Sequence, residues 1–112
     1  MREHAVAETT VVVGEALEGP AVDRWRRLIT DAAASRPDQL VIDLRNTPSI
    51  DAAAIVLLLQ IHRQMVCADG RLILLAPTAR VRRMLRLARV DQVLEVQDGK
   101  RSTATAANGR PS

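Results

Sequence analysis

Aromatic side chains are almost missing: Trp25 is the only one, and the chain has no Phe or Tyr. Modules that grip single-stranded nucleic acid stack bases on aromatic platforms, so RNA-recognition and OB-type binding do not fit this chain. One cysteine, Cys67, rules out an internal disulfide framework. The two histidines, His4 and His62, stand far apart, and no Cys/His spacing suits zinc. No apolar run approaches the ~20 residues of a spanning helix. Met1 to Ala5 holds no long apolar stretch, so no secretion signal is expected and the cytoplasm is the expected compartment. Lysine is nearly absent as well. Lys100 is the only one among 16 basic residues, the others being arginine, whose planar fork suits carboxylates.

What remains is an aliphatic protein. The chain has 112 residues, 47% of them hydrophobic, which is enough for one domain with its own core and no staple. A formal charge of +3 is modest, and 26% charged residues is the share of a globular chain rather than a disordered one. Thr9–Val13 is a β-branched run and predicts a strand, closed by Gly14. Pro20 opens a helix at a position where its missing N–H costs nothing. Val22, Trp25, Leu28, Ile29, Ala32 and Ala33 then recur at helical spacing up to about Ser35. Leu40–Leu44 predicts a second strand; its unbroken apolar run suggests cover on both faces. Asp51 is placed to cap a helix running to about Ala68, which Asp69-Gly70 stops. Arg71–Leu75 predicts a third strand. Pro77-Thr78 leads into a helix with Val81, Met84, Leu85 and Ala88 as its buried stripe, and Val93–Val96 is a last short strand. From Gln97 on, the chain has the composition of a disordered tail. The domain is therefore expected over residues 1–96 and the tail over 97–112. Alternating strands and helices of this length give an α/β fold: a small, mostly parallel sheet with helices packed on it.

Constellations for catalysis are missing. There is no GxGxxG, no phosphate loop and no GxSxG elbow, so the chain is not expected to be an enzyme or to carry a cofactor or metal. His62 reads as a structural histidine on the inner side of the long helix, and Cys67 as a small packing residue. Asp51 reads as a helix cap, and the helix start beside it as a place for a partner to grip. At 100° per residue, Ile55, Leu58, Leu59 and His62 inward would leave Ala53, Val56 and Leu57 outward, an apolar patch suited to docking. Arg80, Arg82, Arg83, Arg86 and Arg89 form a run with no acidic residue between Thr78 and Val90. Such a run reads first as a solvated face, with docking to an acidic surface or weak attraction to nucleic acid as the other readings.

Three stretches together resemble the STAS domain family, typified by bacterial anti-sigma-factor antagonists. Val41-Ile42-Asp43-Leu44 through Ile50-Asp51 looks like its strand and loop. Leu57-Leu58-Leu59-Gln60-Ile61-His62-Arg63 followed by Asp69-Gly70-Arg71-Leu72-Ile73-Leu74 looks like its long helix, turn and next strand. Ala79–Leu85 and Val90–Leu94 look like its last helix and closing strand. The resemblance implies a partner-switching module of transcription regulation that binds an anti-sigma factor which is also a serine kinase. That kinase would phosphorylate a serine just after the aspartate matched here by Asp51. This chain departs from the pattern there. Asp51 is followed by Ala52-Ala53-Ala54, so the acceptor position has no hydroxyl and the family's glycine is also alanine. Phosphoserine would add ~−1.5 to −2 charges beside the cap; without it the switch is absent and binding is constitutive or regulated elsewhere. Ser49 and Thr47 are the only nearby hydroxyls. They read first as turn formers, with Ser49 the substitute acceptor. The expected partner-binding residues are Ser49, Ile50, Asp51, Ala52, Ala53, Val56 and Leu57. The other reading is a STAS subunit of a larger assembly, such as a lipid-transport ATPase complex or a stress-signalling scaffold, where no phosphoacceptor is needed.

Overall fold

Strands and helices alternate along the chain, as the hydrophobic pattern predicts. The computed structural model describes residues 6–99. Its elements are β1 (Glu8–Val12), α1 (Pro20–Ala34), β2 (Gln39–Asp43), α2 (Ala52–Cys67), β3 (Arg71–Leu75), α3 (Ala79–Leu87) and β4 (Glu95–Gln97). Met1 to Ala5 and the expected tail from Lys100 lie outside the described residues. β4 starts two residues later than expected and takes in Gln97, which the composition had assigned to the tail.

The four strands are all parallel and stand in the order β1-β2-β3-β4. Each crossover therefore steps the same way, and right-handed crossovers that step one way place every helix on one face of the sheet. The core follows from this. Leu40, Ile42, Leu72 and Leu74 meet Val22 and Ile29 of α1, Leu58, Ile61 and Met65 of α2, and Val81 and Leu85 of α3 in one cluster. The other face carries only a small cluster of Val41, Ile73 and Leu75. The apolar run in β2 is thus buried on both sides, but helices cover only one of them. On the other face the register sets Arg71 beside Gln39 and Glu95 beside Ile73. Arg71 donates there to Glu95 and Gln39, and Gln97 donates to Glu95. Two side chains expected inside are not: Leu28 of α1 and Ala88 after α3 face solvent.

All three helices end on a residue with a left-handed backbone, and none of these is glycine: Arg36 (φ 59°), Asp69 (φ 63°) and Arg89 (φ 61°). After α2, Asp69 N–H donates to Val66 O at 3.0 Å and Gly70 N–H to Met65 O at 2.7 Å, a Schellman closure. The glycine of the Asp69-Gly70 pair serves a different need. A Cβ on Gly70 would lie 2.8 Å from Met65 Cε and 3.0 Å from Pro37 O, so its role is close approach and not a turn of φ.

Candidate partner interface

The β1–α1 loop and the β2–α2 loop are laced together at the C-terminal end of the sheet. Leu17 pairs with Ile50 in an isolated parallel bridge. Leu17 N–H donates to Ser49 O (3.0 Å) and Asp51 N–H to Leu17 O (3.3 Å). Thr47, the only buried polar residue among those described, donates its hydroxyl to Val13 O at 2.7 Å. It is wholly inaccessible and fastens one loop to the other. Ser49 is half-buried and donates to Glu18 Oε2 at 2.7 Å.

Asp51 is the centre of this lacing. Its extended backbone aims the carboxylate at two helix starts. Oδ1 accepts from Ala54 N–H at 2.9 Å, capping α2, as the sequence predicts. Oδ2 accepts from Gly19 N–H at 2.9 Å. Gly19 is the N-cap of α1 and has no side chain with which to cap it. One carboxylate therefore ties the two helix N-termini together. The N–H of Gly19, then that of Ala54, holds its pKa below the ordinary value. Glu15 braces the same loop from the other side. It accepts from Trp25 Nε1 at 2.7 Å and from Arg24 at 3.1 and 3.2 Å, and these bonds lower its pKa, the indole bond most.

On this base the first turn of α2 presents Ala52, Ala53 and Val56, all exposed, with Val56 at 51%. Two residues expected to join them do not. Leu57 is 1% exposed and Ile50 is 2% exposed, and both belong to the core. The helix is rotated so that Ala54, Ile55, Leu57, Leu58 and Ile61 point inward. Leu59 and His62 shift outward to half-buried positions, so His62 is not the inner residue expected, and Cys67 is exposed rather than packed.

That rotation opens a feature the sequence reading missed. The outer face of α2 and the segment before β4 enclose an open groove of about 570 Å³, lined by Val56, Leu59, His62, Val66, Cys67 and Val93 among others. Val66 (54% exposed) and Val93 (51%) are its apolar ends. The signal was present: Val56, Leu59, Arg63 and Val66 recur every three and four residues, a second stripe beside the core stripe. Among the described residues, no group of three or more His, Cys, Asp or Glu could hold a metal. Within the same residues, no helix is long and apolar enough to cross a membrane.

Fold and site together define a one-sided parallel α/β module whose distinctive surface is an apolar helix start, braced by two laced loops. The chain belongs to the STAS domain family, whose model matches residues 3–104. Solved structures share the fold, three of them as follows. An anti-sigma factor antagonist from Mycobacterium paratuberculosis matches with a TM-score of 0.74 at 19% identity, covering 96% of this chain and 91% of that one. A proposed anti-sigma factor antagonist from Thermotoga maritima matches with a TM-score of 0.74 at 18% identity, covering 88% and 86%. The anti-sigma factor antagonist SpoIIAA in its unphosphorylated form matches with a TM-score of 0.68 at 17% identity, covering 97% and 96%. No curated protein sequence matches the chain.

Proposed function

We propose that this protein is an anti-sigma-factor antagonist-like regulator that binds a serine-kinase-like anti-sigma factor through the start of α2, and that it lacks the switch which would release that partner. The observation that carries the reading is the exposed surface Ala52–Ala53–Val56 seated on the Asp51 cap, with no hydroxyl in its first turn. The likeness to antagonists, one of them solved unphosphorylated, supports it. Ser49 flanks the surface and is held by Glu18; Ile50, Asp51 and Leu57 shape it from beneath. Apolar contact at Ala52 and Val56 needs a neutral helix start. A phosphate there would place its charge against the partner and beside the Asp51 carboxylate. With alanine at 52, a kinase has nothing to modify and the complex persists.

The test is capture from a lysate of the source cell on the immobilised protein, followed by identification of the bound chain. The expected catch is a kinase-like anti-sigma factor, lost with Val56→Asp while the circular dichroism spectrum and melting temperature stay unchanged. Incubation of that partner with ATP should leave the natural protein unlabelled and label Ala52→Ser, releasing it. Capture of a transporter ATPase or permease instead would replace this reading with that of an assembly subunit. Labelling of Ser49 in the natural protein would restore a switch and overturn the constitutive part.

A further inference from the structure

The charge of this molecule is unevenly placed. Its formal total is only +3, yet α3 and the turn after it hold five arginines and no acidic residue, so the rest of the chain is net acidic. Elsewhere Arg24, Arg26, Arg45 and Arg71 are each matched to a carboxylate, while Arg27, Arg36 and Arg63 are spread singly over other elements with no ion pair to a described residue. None of Arg80, Arg82, Arg83, Arg86 and Arg89 forms an ion pair with a described residue. The helix puts them on two sides. Val81 and Leu85 bind α3 to the core. Arg80, Arg83 and Leu87 face outward, and the half-buried Met84, which packs on the core, lies between them at helical spacing to form one stripe. With Ala79 they line a hollow of about 480 Å³. Its apolar side is unusually open, since Leu87 is 71% exposed. Arg82 and Arg86 flank a different hollow that also contains Asp91.

We infer that the outward stripe of α3 is a second docking surface, which takes an acidic amphipathic segment of a protein: one apolar side chain over Met84 and Leu87, with carboxylates on Arg80 and Arg83. Three features favour a protein over a polyanion. The C-terminal half of the stripe, Met84 and Leu87, is apolar, where a phosphate backbone would find nothing to contact. The other pair of arginines faces a different side and shares its hollow with a carboxylate, so no flat anionic surface meets all five. The chain also has no exposed aromatic in this region on which a base could stack. Arginine forks suit paired carboxylates, and electrostatic docking of this kind gives a salt-dependent association.

This surface is separate from the start of α2 and stands or falls independently of it. The test uses the full chain and a fluorescein-labelled helical peptide with glutamates four residues apart around a central leucine, read by fluorescence anisotropy. Binding should weaken about tenfold as salt rises from about 50 to about 500 mM. The double variant R80E/R83E should lose about tenfold or more. Leu87→Ala should lose about threefold, and Val56→Asp should change nothing. All four positions are on the surface, and an unchanged melting temperature verifies that the three variants fold. Unchanged affinity in R80E/R83E would overturn the inference. So would tighter, arginine-dependent binding of duplex DNA or of phosphatidylglycerol vesicles at about 150 mM salt.

Discussion

At the scale of single residues, Asp51 does more than a cap usually does. It supplies the N-terminal bond of α2 and also accepts the backbone N–H of Gly19, the N-cap of α1. Asp51→Ala should therefore cost about 1–2 kcal/mol, the upper range for a cap, in urea unfolding. The effect has a pH signature. The folded-state pKa lies below the ordinary 3.8, so the stabilisation is complete above that value and disappears as pH falls through the lower folded value. The stability gap between the natural protein and Asp51→Ala should be constant near neutrality and close below pH about 4. The left-handed residues give the opposite sign. Arg36 ends α1 at φ 59° with its side chain exposed. Arg36→Gly should stabilise the fold by about 0.5–1 kcal/mol, because glycine takes that backbone without its Cβ clash. A fall in the urea midpoint would show that Arg36 makes a contact worth more than its strain.

At the scale of elements, α2 is apolar nearly all round, and rotation alone decides which residues are core. Val56 and Leu57 are adjacent in sequence and opposite in role, at 51% and 1% exposed. Leu57→Ala should cost about 2–5 kcal/mol and Val56→Ala within about 0.5 kcal/mol of nothing. Similar losses at both sites would mean that the outer face of α2 is covered in solution. The close of the same helix is tightly constrained. Gly70→Ala forces a methyl onto Met65 Cε and the Pro37 carbonyl, and Met65 is fully buried with little room to yield. Its expected cost is about 1–3 kcal/mol by denaturant titration, an overpacking penalty.

At the scale of the whole molecule, the one-sided layering sets both where the fold is most stable and which helix faces are left open. β2 and β3 are each paired on both sides, whereas β1 and β4 have one partner strand. In hydrogen exchange, the amides of Leu40–Ile42 and Leu72–Leu74 should be the last to exchange and those of β4 should go earlier. Uniform protection across the sheet would contradict this order. Because all four strands are parallel, all the strand-to-helix loops emerge at one end. There the two loops around Asp51 meet and raise the start of α2 into solvent. The same layering leaves the outer sides of α2 and α3 without a further layer, which is why both carry exposed apolar side chains.

Much of this was legible in the residues themselves. The order of strands and helices followed from periodicity, and the cap at Asp51 and the helix start at Pro20 from side-chain chemistry. These are local properties, decided by what a residue can bond or how its neighbours repeat. Facing was not legible where the pattern was saturated. In a helix as uniformly apolar as α2, 100° per residue fits several rotations equally well. Only packing against the sheet and α1 chose the one that buries Leu57 and exposes Val66 and Cys67. The second bond of Asp51, to a residue 32 positions away, and the buried fastening of Thr47 to Val13 likewise belong to tertiary structure. The sequence determined the elements; the meeting of two loops decided which surface they present, because distance along a chain says nothing of distance in space until the sheet has formed.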